Sequence, residues 1–289
     1  MNLKSIKMDR RKVLGVTALG LIGFTLPKPI MASVSKRQLQ PATPGIDIPM
    51  HWPNIEPELV SEVVGKSHSD LERVRELVDA RPELARCVWE WRFGDFESAI
   101  GAASHVGRRD IVTYLMDKGA RPTIFTFAML GAREVVQQMI EFSPGIQSTM
   151  GPHGISLLDH AYYGERMKES MTPKELDGVK RTIDYLESLG DAGAKKYVEE
   201  SNEEQAKFLG DYRYGTGEDE GFTISLNMSD KMALGPLGGF GGALNKIGEN
   251  DYTYNGAPSV RVRFDIEGGV VKSLTLTDPT VTILAEKVL

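Results

Sequence analysis

The stretch Ser98–Pro122, SAIGAASHVGRRDIVTYLMDKGARP, limits the fold more than any other part of the chain. Ala99, Ile100, Ala102 and Ala103 fall at close spacing, the small residues a helix needs where another helix presses on its backbone. Gly107 breaks that helix, Asp110 is placed to cap the next, and Ile111, Val112, Leu115 and Met116 form an apolar stripe of helical period. Gly119 stands just past the end, where a left-handed backbone favours glycine, and Pro122 prevents continuation. The pattern predicts two short antiparallel helices followed by a tight turn. One such hairpin cannot hide its own apolar face, so the sequence has to repeat it.

It does. Val112, Leu115 and Asp117 match Val74, Leu77 and Asp79 at a spacing of 38, and Gly107, Val112 and Leu115 match Gly131, Val136 and Met139 at 24. A fourth copy starts at Gly154 and resumes with Ile183 and Leu186 after an insertion around 165–179. Helix–turn–helix units at spacings scattered around ~33 residues point to an ankyrin-like solenoid. Ser156-Leu157-Leu158-Asp159-His160-Ala161 resembles the T-P-L-H-x-A signature of that family, and Ser98–Ala103 is a weaker version. No repeat keeps the full signature, and the third falls short of the usual period. The resemblance implies an α-solenoid of about four repeats over 57–190, with partners bound along its turns and the adjoining helix face.

The N-terminus reads differently. Lys4, Lys7, Arg10, Arg11 and Lys12 precede an apolar run, Val13–Leu26, too short for a comfortable membrane span and ended by Pro27 and Pro29. This predicts a signal peptide over 1–32. Asp9-Arg10-Arg11-Lys12-Val13-Leu14 resembles the twin-arginine type, which implies export of the folded protein to the periplasm or beyond. Removing 1–32 takes away six Lys/Arg and one Asp, leaving 28 basic against 39 acidic residues and a formal charge of −11. Nucleic acid and anionic membrane surfaces are therefore excluded as partners, since both need a basic face. The single cysteine, Cys87, permits no intrachain disulfide, and its apolar neighbours make it a core residue rather than a nucleophile.

Residues 33–56 are proline-rich and aperiodic, an extended tether. The first helical pair follows over 57–87, its second helix carrying Leu71, Val74, Leu77 and Val78 with Ser69 or Asp70 as cap. Then Trp89, Trp91 and Phe93 alternate, which puts all three on one side of an extended segment. Two uses remain open for them: an anchor cluster for a partner, or cover for the junction between repeats. Residues 165–180 read as a polar surface excursion in which Thr172-Pro173-Lys174-Glu175 marks a helix start, the helix Val179–Leu189 closes the array, and 191–207 reads as a capping helix or linker.

After Phe208 the period becomes alternating. Segments 211–214, 221–226, 251–254, 259–266, 270–277 and 280–288 each fit a strand, with Val260, Val262, Phe264 and Ile266 on one face and Arg261, Arg263 and Asp265 on the other. Glu267-Gly268-Gly269 makes a hairpin turn. Residues 208–289 thus predict an antiparallel β domain curled on itself, so the fold class is α+β: an ankyrin-like α-solenoid followed by a small antiparallel sheet or barrel-like domain. With its opening Phe-Leu-Gly-Asp-Tyr, its Val-Arg-Phe-Asp strand and its closing Thr-Ile-Leu-Ala, this part resembles the lipocalin-like domain appended to exported bacterial serine hydrolases. The whole chain resembles exported bacterial proteins that join ankyrin repeats to such a domain.

Catalytic patterns are missing from the sequence: no G-x-S-x-G, H-E-x-x-H, P-loop or K-T-G occurs. Ser33-Val-Ser-Lys36 matches S-x-x-K only by chance within the tether, and the glycine-rich 235–242 reads as a loop between strands rather than a phosphate cradle. The histidines (51, 68, 105, 153 and 160) are scattered, no cysteine or carboxylate pair completes a ligand set, and neither a metal nor a cofactor is expected. The expected function is a non-catalytic, exported binding or scaffold protein that docks another protein at Trp89, Trp91, Phe93, His105, Arg108 and Tyr163. The alternatives are a small apolar ligand held by Phe222, Ile224, Tyr252 and Tyr254 of the β domain, or an accessory subunit of an exported enzyme.

Overall fold

The computed structural model describes residues 49–227 and 230–288. The expected signal peptide (1–32) and most of the expected tether (33–56) lie outside them. The chain divides after Met50, and the unit described below is His51–Leu289. No helix among the described residues is long and apolar enough to cross a membrane.

Among the described residues, eight helices come in four antiparallel pairs: α1 (Pro57–Lys66) with α2 (Leu71–Ala80), α3 (Ala99–His105) with α4 (Arg109–Asp117), α5 (Ile124–Leu130) with α6 (Arg133–Phe142), and α7 (Leu157–Tyr163) with α8 (Pro173–Leu189). Asp70 caps α2 by accepting from the Arg73 N–H, Ser98 caps α3, and Thr172 with Glu175 forms a capping box on α8. Asp110 does not cap α4; its carboxylate instead accepts from Arg108 Nε and Nη2, at 2.9 and 2.6 Å. Between α2 and α3 a small hairpin intervenes, β1 (Val88–Glu90) paired with β2 (Phe96–Ser98).

The expected ankyrin-like solenoid is overturned. In a solenoid each repeat touches only its neighbours. Here α3, in the second pair, lies against α7, in the fourth, as well as against α1, α4 and α5. Close approach is what permits this curl. Ala99, Ala102 and Ala103 are fully buried, and Gly107 and Gly131 sit at φ of +73° and +76°. A Cβ at Gly107 would strike the Tyr163 carbonyl, and one at Gly131 the backbone of Val179. The pairs therefore close around a common centre, with one apolar cluster about Val63, Leu84, Ile100, Leu115 and Met129 and a second about Ile124, Val136, Leu157 and Leu186.

A short α9 (Asn202–Ala206) leads into an eight-stranded closed antiparallel barrel, whose strands in spatial order are β10 (Thr282–Lys287), β3 (Gly210–Arg213), β4 (Gly221–Leu226), β5 (Met232–Pro236), β6 (Gly242–Lys246), β7 (Asp251–Tyr254), β8 (Ala257–Glu267) and β9 (Val270–Thr277). The expected glycine-rich loop 235–242 is the hairpin joining β5 and β6. Gly242 is a strand residue because the Tyr254 ring occupies the place of its side chain, with the phenol oxygen accepting the Gly242 N–H at 2.8 Å. Closure leaves no free edge, and eight strands enclose just enough room for side chains. Phe208, Tyr212, Tyr252 and Phe264 meet ring to ring at 4.5 to 5.8 Å and fill that room. Full burial of Tyr252 and Phe264 contributes about 2 kcal/mol each.

Candidate functional site

Glu97 is the middle residue of β2. Period-two alternation sends its neighbour Phe96 outward, 62% exposed, and turns the Glu97 carboxylate inward to complete burial. Because Ser98 caps α3 directly after the strand, the same segment carries His105 on the last turn of that helix. His68 lies in the turn between α1 and α2, where its ring Nδ1 meets the Gly65 carbonyl at 2.9 Å. His153 arrives from a turn before α7 in a left-handed conformation, φ +57°. Asp95 holds it there, accepting the main-chain N–H at 2.9 Å and facing ring Nδ1 at 2.7 Å. Such a backbone state costs on the order of 1–3 kcal/mol in a residue other than glycine and persists where the surroundings fix it.

These segments bring one donor atom each from His68, Glu97, His105 and His153 to within 4.8 Å of one another. His105 Nε2 is 2.8 Å from Glu97 Oε1 and 3.0 Å from His68 Nε2. His153 Nε2 is 3.3 Å from Glu97 Oε1, and His68 Nε2 is 3.5 Å from Oε2. Tetrahedral zinc with bonds near 2.0–2.1 Å has ligand atoms about 3.3 Å apart, the same scale. The Gly65 carbonyl can only accept, so His68 Nδ1 carries a proton, and the Asp95 carboxylate likewise holds a proton on His153 Nδ1, which leaves the Nε2 of both rings facing Glu97. Trp91 donates its indole N–H to Glu97 Oε2 at 2.7 Å, while Oε1 accepts no aligned hydrogen bond despite the two imidazoles beside it. A backbone carbonyl and a carboxylate thus orient two of the converging rings, as the outer partners of metal-ligating histidines do.

Charge favours a cation at this point. Burial works to raise the Glu97 carboxyl, but His105 and His153 outweigh it and hold the group well below the usual carboxylate range. Burial works against charge on His153 too, yet Asp95 and Glu97 push it up to about 10, whereas His105 is pushed down by burial despite Glu97. A proton on His153 leaves the Asp95–Glu97 pair with one negative charge uncompensated in a buried site. A divalent ion held by neutral imidazoles balances both carboxylates.

The expectation of scattered histidines, with no ligand set, is corrected: three of the five converge. His51 pairs with Glu56 at 3.2 Å, and His160, fully buried, faces the Ser156 carbonyl through Nδ1 at 2.8 Å. One signal in the sequence bears on this convergence. His68 and His105 are 37 residues apart, almost the 38 that separates Val74 from Val112, so they end equivalent helices of adjacent pairs.

The residues expected to dock a protein partner each have contacts within the fold, and all but the buried His105 remain part-exposed. Trp89 packs on the helical core, Trp91 binds Glu97, and Phe93 meets Tyr254 edge-on at 5.0 Å in the barrel cluster. Their alternation is interrupted because Phe93 itself has a positive φ, +53°, in the β1–β2 turn. His105 is a donor, Arg108 is bound to Asp110 and to the Ser69 carbonyl, and Tyr163 lies half-buried under the Arg166 guanidinium. Of the residues expected to line a ligand cavity, Ile224, Tyr252 and Tyr254 are buried in the packed barrel core and Phe222 packs against it. No protein-family model, curated protein or solved structure matches this chain.

Proposed function

We propose that this chain is an exported metal-binding protein holding one divalent transition-metal ion, zinc by its donor set, through His68, His105 and His153 Nε2 and the Glu97 carboxylate. The observation that carries the proposal is the convergence of four donors, three of which (His68, His153 and Glu97) have an outer atom already committed to Gly65, Asp95 and Trp91. Three imidazoles and one carboxylate suit zinc, copper or nickel far better than calcium or magnesium, which prefer all-oxygen cages. Four protein donors close the coordination sphere of zinc, the arrangement of a holding site rather than of one that activates water. The His68 and His153 side chains remain 27% and 26% exposed, which gives the ion a way in from solvent. Export rests on the signal-like residues 1–32.

Equilibrium dialysis against zinc followed by elemental analysis is the direct test. The expected result is one ion per chain, lost in a His105→Ala/His153→Ala double variant, with a tetrahedral visible spectrum on cobalt substitution. No stoichiometric uptake, or uptake that survives the double variant, rejects the site.

A further inference from the structure

A cleft of about 530 Å³ opens beside the four donors, between the β1–β2 hairpin, α3, the start of α5 and the turn at Met150–Pro152. Its volume lies in the range of small-molecule sites. Three features of the lining specify an occupant. The first is charge: Arg86 and Arg121 both line it, and among the described residues neither has an ion pair or hydrogen bond. The one acid on the lining, Asp95, has both oxygens engaged by His153 and pairs with neither guanidinium group.

The second feature is apolar surface. Val88, Phe96 and Met150 are 51%, 62% and 41% exposed on this one cleft, and Phe125 adds a ring on its inner side, 4.9 Å from that of His160. The third is an orphaned acceptor. His160 lines the cleft, is fully buried, and donates its Nδ1 proton to the Ser156 carbonyl, which leaves Nε2 a bare acceptor with no partner. Gly151, also on the lining, packs close to that ring edge, where a Cβ would sit 2.9 Å from His160 Cε1 and 3.4 Å from Nε2. A buried acceptor left unpaired is costly, and a site built around one selects ligands that bring a donor.

We propose that this cleft binds a small aromatic carboxylate bearing a hydroxyl group. The carboxylate meets the Arg86–Arg121 pair, the ring lies against Phe96 and Phe125, and the hydroxyl donates to His160 Nε2. Nothing in this requires the metal, so binding is measured both in chelator and with zinc. The probes are meta- and para-hydroxybenzoate, benzoate and phenol, titrated into the full chain by calorimetry or ligand-observed NMR at low salt. The better hydroxybenzoate is expected to bind with Kd below about 1 mM, and benzoate and phenol each at least about tenfold more weakly.

An Arg86→Gln/Arg121→Gln variant removes two exposed side chains that hold nothing in the fold. It is expected to keep its circular dichroism spectrum and melting temperature and to lose at least about tenfold in affinity. His160→Asn is expected to erase the preference for hydroxybenzoate over benzoate. Saturable binding of neither hydroxybenzoate at about 10 mM, equal affinity for benzoate, or unchanged affinity in the double arginine variant each overturns the proposal.

Discussion

Asp95→Asn separates a metal site from a mere buried ion-pair network. Asp95 grips His153 at two atoms, the main-chain N–H at 2.9 Å and ring Nδ1 at 2.7 Å. Asparagine has the same shape, and its oxygen still accepts the main-chain N–H. Its amide then faces Nδ1 and favours the tautomer with the proton on Nε2, the atom aimed at the metal. Losing such an outer partner weakens metal binding about 10–100-fold, worth about 1.4–2.7 kcal/mol. With free zinc about 1,000-fold above Kd, binding stabilises the wild-type native state by about 4 kcal/mol. For a domain of this size each kcal/mol moves Tm by about 2–4 °C, so zinc raises the wild-type Tm by about 8–16 °C. At the same zinc concentration the variant retains about one third to two thirds of that shift. Scanning calorimetry in zinc buffer and in chelator, each protein compared with its own metal-free state, cancels whatever the substitution does to the apo fold. Equal zinc-induced shifts in both proteins, or none in the wild type, refute the reasoning.

Glu97→Gln keeps the shape and the Trp91 hydrogen bond but strips a buried counter-charge from His153, and urea titration in chelator is expected to give a loss of about 3–5 kcal/mol. A loss below about 1 kcal/mol shows that the charge is dispensable to the metal-free fold. Phe264→Ala empties the middle of the ring cluster in the barrel and should cost about 3–5 kcal/mol by the same measurement; a near-neutral result contradicts a packed interior. Burial pushes the Cys87 thiol up to about 12, so a thiol reagent at pH 8 is expected to label the folded protein slowly and the unfolded chain, with its pKa of about 8.5, fast. Equal rates would place Cys87 at the surface.

Much of the local structure was written in the residues. Ala99, Ala102 and Ala103 announced a helix pressed by others, Asp70 and Thr172 announced helix starts, and the alternation of Val260, Val262 and Phe264 announced a strand with one buried face. The spacing of Trp89 and Trp91 likewise assigned both to one side of a segment. It could not say that this side turns inward, because alternation fixes relative orientation and leaves the choice of face to the partner. The missed strands β5 and β6 have a similar cause: Gly235 and Gly242 read as loop residues until the Tyr254 ring is seen to need the room.

The donor set is the extreme case. Its members are separated by 29, 8 and 48 residues and sit in a turn, a strand, a helix end and a strained loop, so no single period links them. Sequence alone determined that the helices come in pairs, that they need one another, and that the C-terminal part alternates. All three follow from side-chain spacing along a chain, which is a local property. Only the tertiary structure decided that the pairs curl shut and bring His68, Glu97, His105 and His153 to one point, because that depends on how closely Gly107 and Gly131 let distant backbones approach.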